Sequence, residues 1–371
     1  MSEQSTEIDR FIAEAWAYSL EKIRYTLATV TDFPEYTEGD HWFCAADGGW
    51  TGGHWTGLLW LASAQTGDKN LEAAARHWTT RLSPRQHDTT THDLGFLFEL
   101  SHILGANITR DTTLKRPALQ AAQTLIRRYN PKGGYIQAWG PLDGTADQRG
   151  RTIIDTMMNL NLLFWATKET DDMNFANIAV TTAKTMLQRH IRADGSTSHT
   201  TEFNPDTGDF IRQGTHQGLS ATSCWARGQS WAVYGFTVCY RETGDVAFLE
   251  AARKLANYVL MHLPPDHVPY WDYDSPLIPN DVRDSSAAAI LAPALLMLAT
   301  LESEPADADR WRSEAITILQ SLWANYSSRG SVEPSILIHG TRHKPYGSMD
   351  HGLIYGDYYF VEALQRLGHA T

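Results

Sequence analysis

Aspartates begin several predicted helices, and Asp155 is the one that lies where a carboxyl group could do acid–base chemistry. Asp155 lies inside the apolar run IIDTMMNLNLLFW (153–165), where an unpaired carboxylate is costly to bury. Such a group is either ion-paired or retained for chemistry, and we favour chemistry. Asp93 follows His92 at the start of HDLGF (92–96). An Asp at a helix start is most often a cap or a dipole partner, and we interpret three others as structural: Asp284, Asp350 and Asp357.

Aromatic residues concentrate in the predicted loops. Trp50 lies in GGWTGG (48–53) and Trp139 in QAWGP (137–141), glycine-rich settings where core packing is less natural. Aromatic faces suit the apolar C–H faces of sugars, and Arg, His and Gln side chains reach hydroxyl and carboxylate groups. The pattern therefore predicts a saccharide cleft with carboxyl groups on its floor. Further loop aromatics predicted at the same end are Trp42, Tyr270 and Trp271.

Other chemistries lack their sequence signatures. The pairs His87-Asp88 and His92-Asp93 have no HExxH-like spacing, and there is no GxSxG, phosphate loop or GxGxxG, so we predict no metal and no cofactor.

A net charge of -12 without basic runs argues against nucleic acid and anionic membranes. The apolar run 287–301 contains Pro293 and is too short for a membrane span. Three Cys without a disulfide pattern, and no visible signal peptide, predict a cytoplasmic protein.

The elements that must position these residues are predicted to be helices almost throughout. Apolar residues recur with the helical period, and no run alternates as a strand would. The predicted helices are 7–30, 54–66, 69–82, 93–105, 114–129, 152–169, 172–190, 224–243, 246–262, 284–301, 307–325 and 353–367.

These segments alternate in character. The even-numbered ones are apolar nearly all round, as buried helices are, and the odd-numbered ones are amphipathic. Short turns follow the even-numbered helices, whereas long loops, which are usually functional, precede them. We predict an all-α (α/α)6 barrel that forms a single domain over residues 1–371, with the long loops at one end. A two-domain helical protein is the runner-up, and an open solenoid is less favoured because the repeat spacing is irregular.

The motifs resemble those of the unsaturated glucuronyl hydrolases, family 88 of the glycoside hydrolases. The resemblance covers nearly the whole chain after the first helix. It rests on WTGGHWTGLLWLA (50–62), HDLGF (92–96), IQAWGP (136–141), GRTIIDTMMNLNLLFWA (150–166), THQG (215–218), CWARGQSWAVYGF (224–236), YWDYDSP (270–276), RDSSAAAI (283–290) and YGDYYFVEAL (355–364).

This resemblance implies an (α/α)6 barrel and an unusual hydrolysis. The substrate would be an oligosaccharide with a 4,5-unsaturated uronic acid at its non-reducing end. An acid protonates C4, water adds at C5, and the resulting hemiketal opens and expels the aglycone. By position, Asp155 would be the general acid and base, and Asp93 the second carboxylate that helps to set its protonation. Asp88 also follows a His, but only the second copy in HDTTTHD (87–93) continues as LGF.

The resemblance also implies a set of substrate-binding residues. Arg227 would pair with the uronate carboxylate, and Trp50 and Trp139 would be stacking walls. The loop 339–352 departs from the family pattern, which puts a preference for sulfated sugars in doubt. The full set is Trp50, His92, Trp139, His199, Gln213, Thr215, Gln217, Trp225, Arg227, Trp231, His343 and Ser348.

Three alternative functions stay open at this stage. They are hydrolysis of unsaturated rhamnogalacturonan fragments from pectin, sugar binding without catalysis, and conventional inverting hydrolysis by two carboxyl groups about 6.5–9.5 Å apart. The sequence does not choose among chondroitin, hyaluronan, heparin, gellan and xanthan fragments. It is compatible with a monomer or a homodimer.

Overall fold

A computed structural model describes residues 3–368. Its α-helices are α1 Glu3–Thr29, α2 Gly52–Thr66, α3 Lys69–Leu82, α4 Leu94–Phe98, α5 Leu104–Thr109, α6 Lys115–Ile126, α7 Ala146–Arg149, α8 Thr156–Thr170, α9 Met173–Arg189, α10 Ala226–Thr243, α11 Val246–His262, α12 Ser285–Leu301, α13 Pro305–Asn325 and α14 Ile354–Gly368. All twelve predicted helical segments are present, with one of them divided between α4 and α5.

Six helical segments form a closed inner ring. Contacts run from α2 to α4, α8, α10, α12 and α14, and from α14 back to α2. The inner helices are apolar on every side because each packs against two ring neighbours and an outer helix. Their close approach needs small residues: a Cβ on Gly53 would lie 1.9 Å from the carbonyl oxygen of Phe96.

The outer helices α1, α3, α6, α9, α11 and α13 pack on the outside of the inner ring, and α1 packs against α14 and α2. This arrangement confirms the predicted (α/α)6 barrel. The predicted short turns are present, and in them Gly67, Asp171 and Gly244 take the left-handed conformation after α2, α8 and α10. The helices that follow are capped by the Asp side chains of Asp68, Asp172 and Asp245.

The sequence shows no alternating run, yet the structure contains short strands in the loops. The long loops form β1 Phe33–Glu38, β2 His41–Ala45, β3 Tyr129–Asn130, β4 Tyr135–Ile136, β5 Arg151–Ile153, β6 Thr200–Phe203 and β7 Phe210–Gly214. β1 pairs with β2, β3 pairs with β4, and β5, β6 and β7 form one antiparallel sheet. These strands are too short to show alternation in the sequence, and β5 finds its partner some fifty residues along the chain.

The fourth predicted helix also differs in detail. A π-helical turn, Glu99–Ile103, separates α4 from α5, and such turns leave no periodic signature of their own. One hydrophobic core extends from Phe11 in α1 to Leu367 in α14, and the assignment of residues 1–371 to a single domain stays a prediction. Within residues 3–368, no helix combines the length and the apolar character needed to cross a membrane.

Candidate active site

Asp155 lies at the junction between β5 and α8. It is the residue before the first turn of α8, yet its side chain makes no capping hydrogen bond. The side chain is 12% exposed, and its Oδ2 atom has no hydrogen-bond partner among the described residues. Burial first, and then repulsion from Asp93, raise the pKa of Asp155 to about 6, although His92 and Arg227 act in the opposite direction. The carboxyl group can therefore hold a proton close to neutral pH.

Asp93 lies immediately before α4 and has a different environment. The hydroxyl of Thr91 donates to its Oδ2 at 2.7 Å, and His92 Nε2 lies 3.2 Å from its Oδ1. Burial alone would raise the pKa of Asp93, but His92, Thr91 and Arg128 outweigh it and lower the pKa below its usual value. Two carboxyl groups whose pKa values are driven apart are the arrangement expected of an acid and its ionised companion.

The backbone connects the two aspartates through the segment 137–139. Ala138 N donates to the carbonyl oxygen of Arg151 at 2.9 Å, and its own carbonyl oxygen accepts from His92 N at 3.1 Å. A further hydrogen bond joins the imidazole Nδ1 of His92 to the hydroxyl of Thr156 at 2.9 Å. The starts of α4 and α8 are thereby held together, and Trp139 is placed beside them.

His199 faces Asp155 from the strand side of the cleft. Its Nδ1 accepts the backbone N–H groups of His216 and Gln217 at 3.1 and 3.0 Å. In the neutral ring the proton must then reside on Nε2, which lies 3.8 Å from Asp155 Oδ2. Burial, followed by nearby cationic groups that include His216, lowers the pKa of His199 well below its usual value. His199 is consequently a neutral donor aimed at the Asp155 carboxyl group.

Aromatic rings line one side of the cleft. Trp225 packs on His199 with ring centres 4.5 Å apart, and Trp139 meets His216 at 5.2 Å. His216 in turn contacts the ring of His343 at 4.8 Å. These rings provide flat faces of the kind that sugar rings pack against.

The opposite side is also aromatic. Trp50 packs on Phe96 and Tyr355 at 5.5 and 4.9 Å, and Phe96 packs on Trp231 at 5.1 Å. Several buried polar atoms here have no partner among the described residues: His54 Nε2, Trp231 Nε1 and the Tyr355 hydroxyl. Because buried polar groups are normally paired, these atoms are available to a hydroxyl-rich ligand.

Arg227 has partners that the sequence did not predict. Its Nη1 donates to Asp284 Oδ2 at 2.7 Å and to the carbonyl oxygen of Thr341, and its Nη2 donates to the carbonyl oxygen of Arg342 at 2.7 Å. Both the Arg227 and the Asp284 side chains are almost fully buried, and a buried cation requires such partners. The interpretation of Asp284 as a cap is correct, since Ser286 N donates to it, but it is incomplete.

The remaining predicted residues, which are Thr215, Gln217, Gln213 and Ser348, bond other groups of the loops. Thr215 accepts from Gly218 N, and Gln217 donates to the Arg342 carbonyl oxygen, so both shape the loop beside His199. Gln213 instead bonds Arg192 and the carbonyl oxygen of Arg189. Ser348 bonds His351 and pairs with the backbone of His343, at the base of the 339–352 loop.

Three of the loop aromatics predicted for the cleft belong to the framework instead. The indole of Trp42 donates to Thr26 of α1, and that of Trp271 donates to Asp281. The Tyr270 hydroxyl donates to the Pro279 carbonyl oxygen. Loop position alone does not distinguish a ring that faces a ligand from one that fastens the loop.

Sequence reasoning missed His54, His216 and Tyr355. His54 occurs within an otherwise apolar helix start and His216 beside Gln217, so an isolated polar ring among apolar or glycine-rich neighbours was the available signal. Asp88, the other candidate carboxylate, bonds Thr90 and Arg85 and lies outside the Asp93–Asp155 arrangement described above.

Comparisons with known proteins agree with this architecture. Residues 23–296 match Glycosyl Hydrolase Family 88. The chain belongs to this family. The family 88 relatives include the unsaturated glucuronyl hydrolase of Bacillus sp. (strain GL1), 39% identical over 90% of both chains. The unsaturated chondroitin disaccharide hydrolase of Streptococcus pyogenes serotype M1 is 35% identical over 96% of this chain and 90% of its own.

A solved structure, a UGL variant with dGlcA-Glc-Rha-Glc, superposes with a TM-score of 0.92, 36% identity and 96% coverage of each chain. The protein is therefore a glycoside hydrolase of the unsaturated glucuronyl hydrolase type. This finding confirms the family resemblance noted in the sequence.

Proposed function

We propose that the protein removes a 4,5-unsaturated uronic acid from the non-reducing end of an oligosaccharide by hydrating its C4=C5 double bond. The observation that carries this proposal is the buried Asp155 carboxyl group, which can retain a proton near neutral pH beside an ionised Asp93. A vinyl ether reacts when an acid protonates carbon, so the reaction needs this type of group.

The reaction is written with Asp155 as acid and then base. Its proton passes to C4 and forms a C–H bond, and the positive charge that develops at C5 is shared with the ring oxygen. Water adds to C5 and returns a proton to the Asp155 carboxylate. The hemiketal at C5 then opens, and the aglycone is released with a free hydroxyl group. Asp155 ends the cycle protonated, so atoms and charge balance.

The neighbouring groups have supporting roles in this proposal. Asp93 stays ionised and keeps the pKa of Asp155 high, and its negative charge also stabilises the cation that develops on the sugar. Neutral His199 places its Nε2 donor 3.8 Å from Asp155 Oδ2, where it can bind the substrate beside the acid. Arg227 is committed to Asp284, so we propose that the unpartnered donors Trp231 Nε1 and Tyr355 hydroxyl bind the oxygens of the uronate.

The proposed substrates are glycosaminoglycan-type or related fragments generated by polysaccharide lyases. The relatives are an unsaturated glucuronyl hydrolase and an unsaturated chondroitin disaccharide hydrolase, and the barrel and cleft are of the same family. We also propose that the protein acts in the cytoplasm, because its three Cys are free thiols. Whether it is a monomer or a homodimer stays a prediction.

The deciding experiment follows the ultraviolet absorbance of the conjugated double bond in unsaturated chondroitin and hyaluronan disaccharides. Wild type is expected to abolish the absorbance, and Asp155→Asn to lower kcat by about 10²–10⁴-fold. The matched control is Asp88→Asn, which changes the other carboxylate of HDTTTHD and should retain activity.

Loss of absorbance with Asp155→Asn at the wild-type rate would refute the assigned role. If wild type leaves both disaccharides intact, unsaturated rhamnogalacturonan fragments become the next substrate to test. Binding of those fragments without turnover would instead indicate a sugar-binding relative.

A further inference from the structure

Arg128 is a buried cation that bonds backbone carbonyl oxygens. It lies two residues after the end of α6 and is 2% exposed. Its Nε donates to the carbonyl oxygen of Gln137 at 2.8 Å, and its Nη1 donates to the carbonyl oxygens of Thr89 and of Gly140, the latter at 3.1 Å. Its Nη2 is buried and has no hydrogen-bond partner within residues 3–368. The fold therefore carries the cost of a buried charge that no bonded carboxylate offsets.

The three carbonyl groups belong to two chain segments that meet at His92, next to Asp93. Thr89 lies in the loop that leads to Asp93. The other two carbonyl groups flank Ala138, whose own carbonyl oxygen accepts from His92 N at 3.1 Å. The guanidinium of Arg128 is thereby fixed to the turn that presents Asp93.

Hydrogen bonding alone does not explain a positive charge at this position. A carbonyl oxygen also accepts from a neutral amide, as that of Trp139 does from the side chain of Gln137 at 2.8 Å. A guanidinium adds a permanent charge. Burial lowers the pKa of Arg128 only to about 10, with the charges of Asp93 and then Asp88 acting in the opposite direction. Arg128 therefore stays cationic at neutral pH.

The charge of Arg128 acts on Asp93. Burial raises the pKa of Asp93, and Arg128 is one of the groups that together outweigh burial. The other titratable groups that face Asp93 are His92 beside it, Asp155 before α8 and His54 of α2. Burial lowers the pKa of His54 to about 3, so this ring is neutral. Arg128 thus supplies a positive charge that does not change near neutral pH, as the charge of a histidine does.

Asp155 is surrounded by a different set of charges. Burial is the largest influence on its pKa, and the principal charges that act on it are those of His92, Asp93 and Arg227. His199 faces it as well, with Nε2 3.8 Å from Oδ2. A cation that favours the ionised form of Asp93 therefore favours the protonated form of Asp155, because the two carboxyl groups repel each other when both are ionised.

We propose that Arg128 is a positioning residue whose buried positive charge keeps the negative charge on Asp93, so that the single proton of the two carboxyl groups stays on Asp155. This inference rests on the proposed function and adds to it a residue that acts through Asp93. Asp88 does not take the place of Asp93 as the counter-ion, because it is paired with Arg85 Nη2 at 2.8 Å.

The test compares the pH dependence of kcat/KM for an unsaturated chondroitin disaccharide in wild type, Arg128→Gln and Arg128→Lys, with folding checked by circular dichroism at each pH. The acid limb of the profile reports protonation of the group that must be ionised. Arg128→Gln removes the charge and should move this limb upward by about one pH unit. Arg128→Lys keeps the charge and should leave the limb where wild type has it. Both substitutions break the hydrogen bonds of the guanidinium, so a merely structural role would affect the two variants alike.

Arg192→Gln is the matched control. Arg192 also donates to carbonyl oxygens of the long loops, those of Thr197, Ala221 and Ser223 at 3.0, 2.9 and 3.2 Å. These bonds are of the same kind as those of Arg128, but they do not reach the 88–93 loop. Arg192→Gln should therefore leave the acid limb at its wild-type position, whatever its effect on kcat.

An acid limb that stays at the wild-type position in Arg128→Gln, or that moves equally in Arg128→Gln and Arg128→Lys, would overturn this proposal and leave the role of Asp155 intact. A second readout is the titration of the Asp93 carboxyl carbon by nuclear magnetic resonance, with the signal assigned by its absence in Asp93→Asn. It needs no turnover, so it decides even if wild type does not hydrate the double bond. Asp93 should ionise about one pH unit higher in Arg128→Gln than in wild type, and equal values overturn the proposal.

A neutral variant that does not fold leaves two further measurements. Arg128→Met, which also lacks a charge, takes the place of Arg128→Gln with the same expected shift. If neither neutral variant folds, the Asp93 titration in wild type and Arg128→Lys decides. Ionisation below the ordinary value of 3.8 in both proteins supports the proposal, and ionisation above it in wild type overturns the proposal.

Discussion

At the scale of single residues, the protein separates the protonation states of two carboxyl groups that lie in one cleft. Asp155 has no capping bond and no salt bridge with Lys or Arg among the described residues. Asp93 accepts a hydrogen bond from the Thr91 hydroxyl, and its Oδ1 lies 3.2 Å from His92 Nε2. The same burial therefore raises the pKa of Asp155 and is outweighed at Asp93. Burying an ionised carboxyl group costs free energy. At Asp155 this cost is functional, because it keeps a proton on the group.

This arrangement predicts a pH-dependent stability. A folded-state pKa of about 6 for Asp155 lies above its ordinary value, so stability from this group is present below about pH 4 and is lost as the pH rises through about 6. The loss is roughly 3 kcal/mol. Asp155→Asn cannot ionise. Its free energy of unfolding relative to wild type should therefore increase by roughly that amount between about pH 4 and pH 7, measured by urea denaturation.

For Asp88→Asn, the free energy of unfolding relative to wild type should change with pH in the opposite direction. Although burial raises the pKa of Asp88, Thr90 and Arg85 outweigh it and lower the pKa, so this carboxylate stabilises the fold at higher pH and ceases to do so as the pH falls. A variant difference for Asp155→Asn that stayed flat with pH would show that the carboxyl group is not held protonated.

At the scale of elements, the start of α10 is fastened to α12 and to the loop after His339 by one buried ion pair. Arg227 of α10 reaches Asp284, which caps α12, and the carbonyl oxygens of Thr341 and Arg342. The loop that carries His343 is thus fixed to the barrel rim by Arg227, the residue that the family resemblance paired with the uronate carboxylate.

We predict that Arg227→Met destabilises the fold by about 3–5 kcal/mol, because it leaves Asp284 charged and buried without its partner. The measurement is the free energy of unfolding in urea. Arg212→Met is the matched control, since its pair with Glu202 is exposed and should contribute at most about 1 kcal/mol.

The double variant Arg227→Met with Asp284→Leu should regain part of the lost stability, because it removes both charges. If Arg227→Met unfolds at the same urea concentration as Arg212→Met, the ion pair does not fasten these elements.

At the scale of the whole molecule, an anionic ligand is proposed for a protein whose net charge is -12. Arg227 is compensated by Asp284, so the overall field opposes the approach of a uronate. Raising the salt concentration screens this repulsion, since the Debye length shortens from about 30 Å at 0.01 M to about 8 Å at 0.15 M.

We therefore predict that KM for an unsaturated disaccharide falls as the salt concentration rises over that range, with kcat little changed. Parallel series in sodium and potassium chloride separate screening from a specific ion effect. A KM that rose with salt in both series would indicate that uncompensated cations dominate binding.

The sequence by itself determined the helical architecture and the principal chemistry. Periodic apolar residues decide which helices are buried and which have a wet face, and the Asp caps and Gly stops decide the turns between them, because these signals act within a few residues. The apolar setting of Asp155 was visible for the same reason. These local rules were sufficient to predict the barrel and to select Asp155, whereas Asp93 was selected by the family resemblance.

Only the tertiary structure decided which residues of the cleft bond to one another. The commitment of Arg227 to Asp284, the orientation of His199 by the backbone of 216–217 and the pairing of β5 with β6 all join residues distant in the chain. The rings of Trp139, His216 and His343 likewise meet only when three long loops converge. A buried polar side chain must find a partner, and the partner that lies within reach depends on which loops the closed ring of helices brings together.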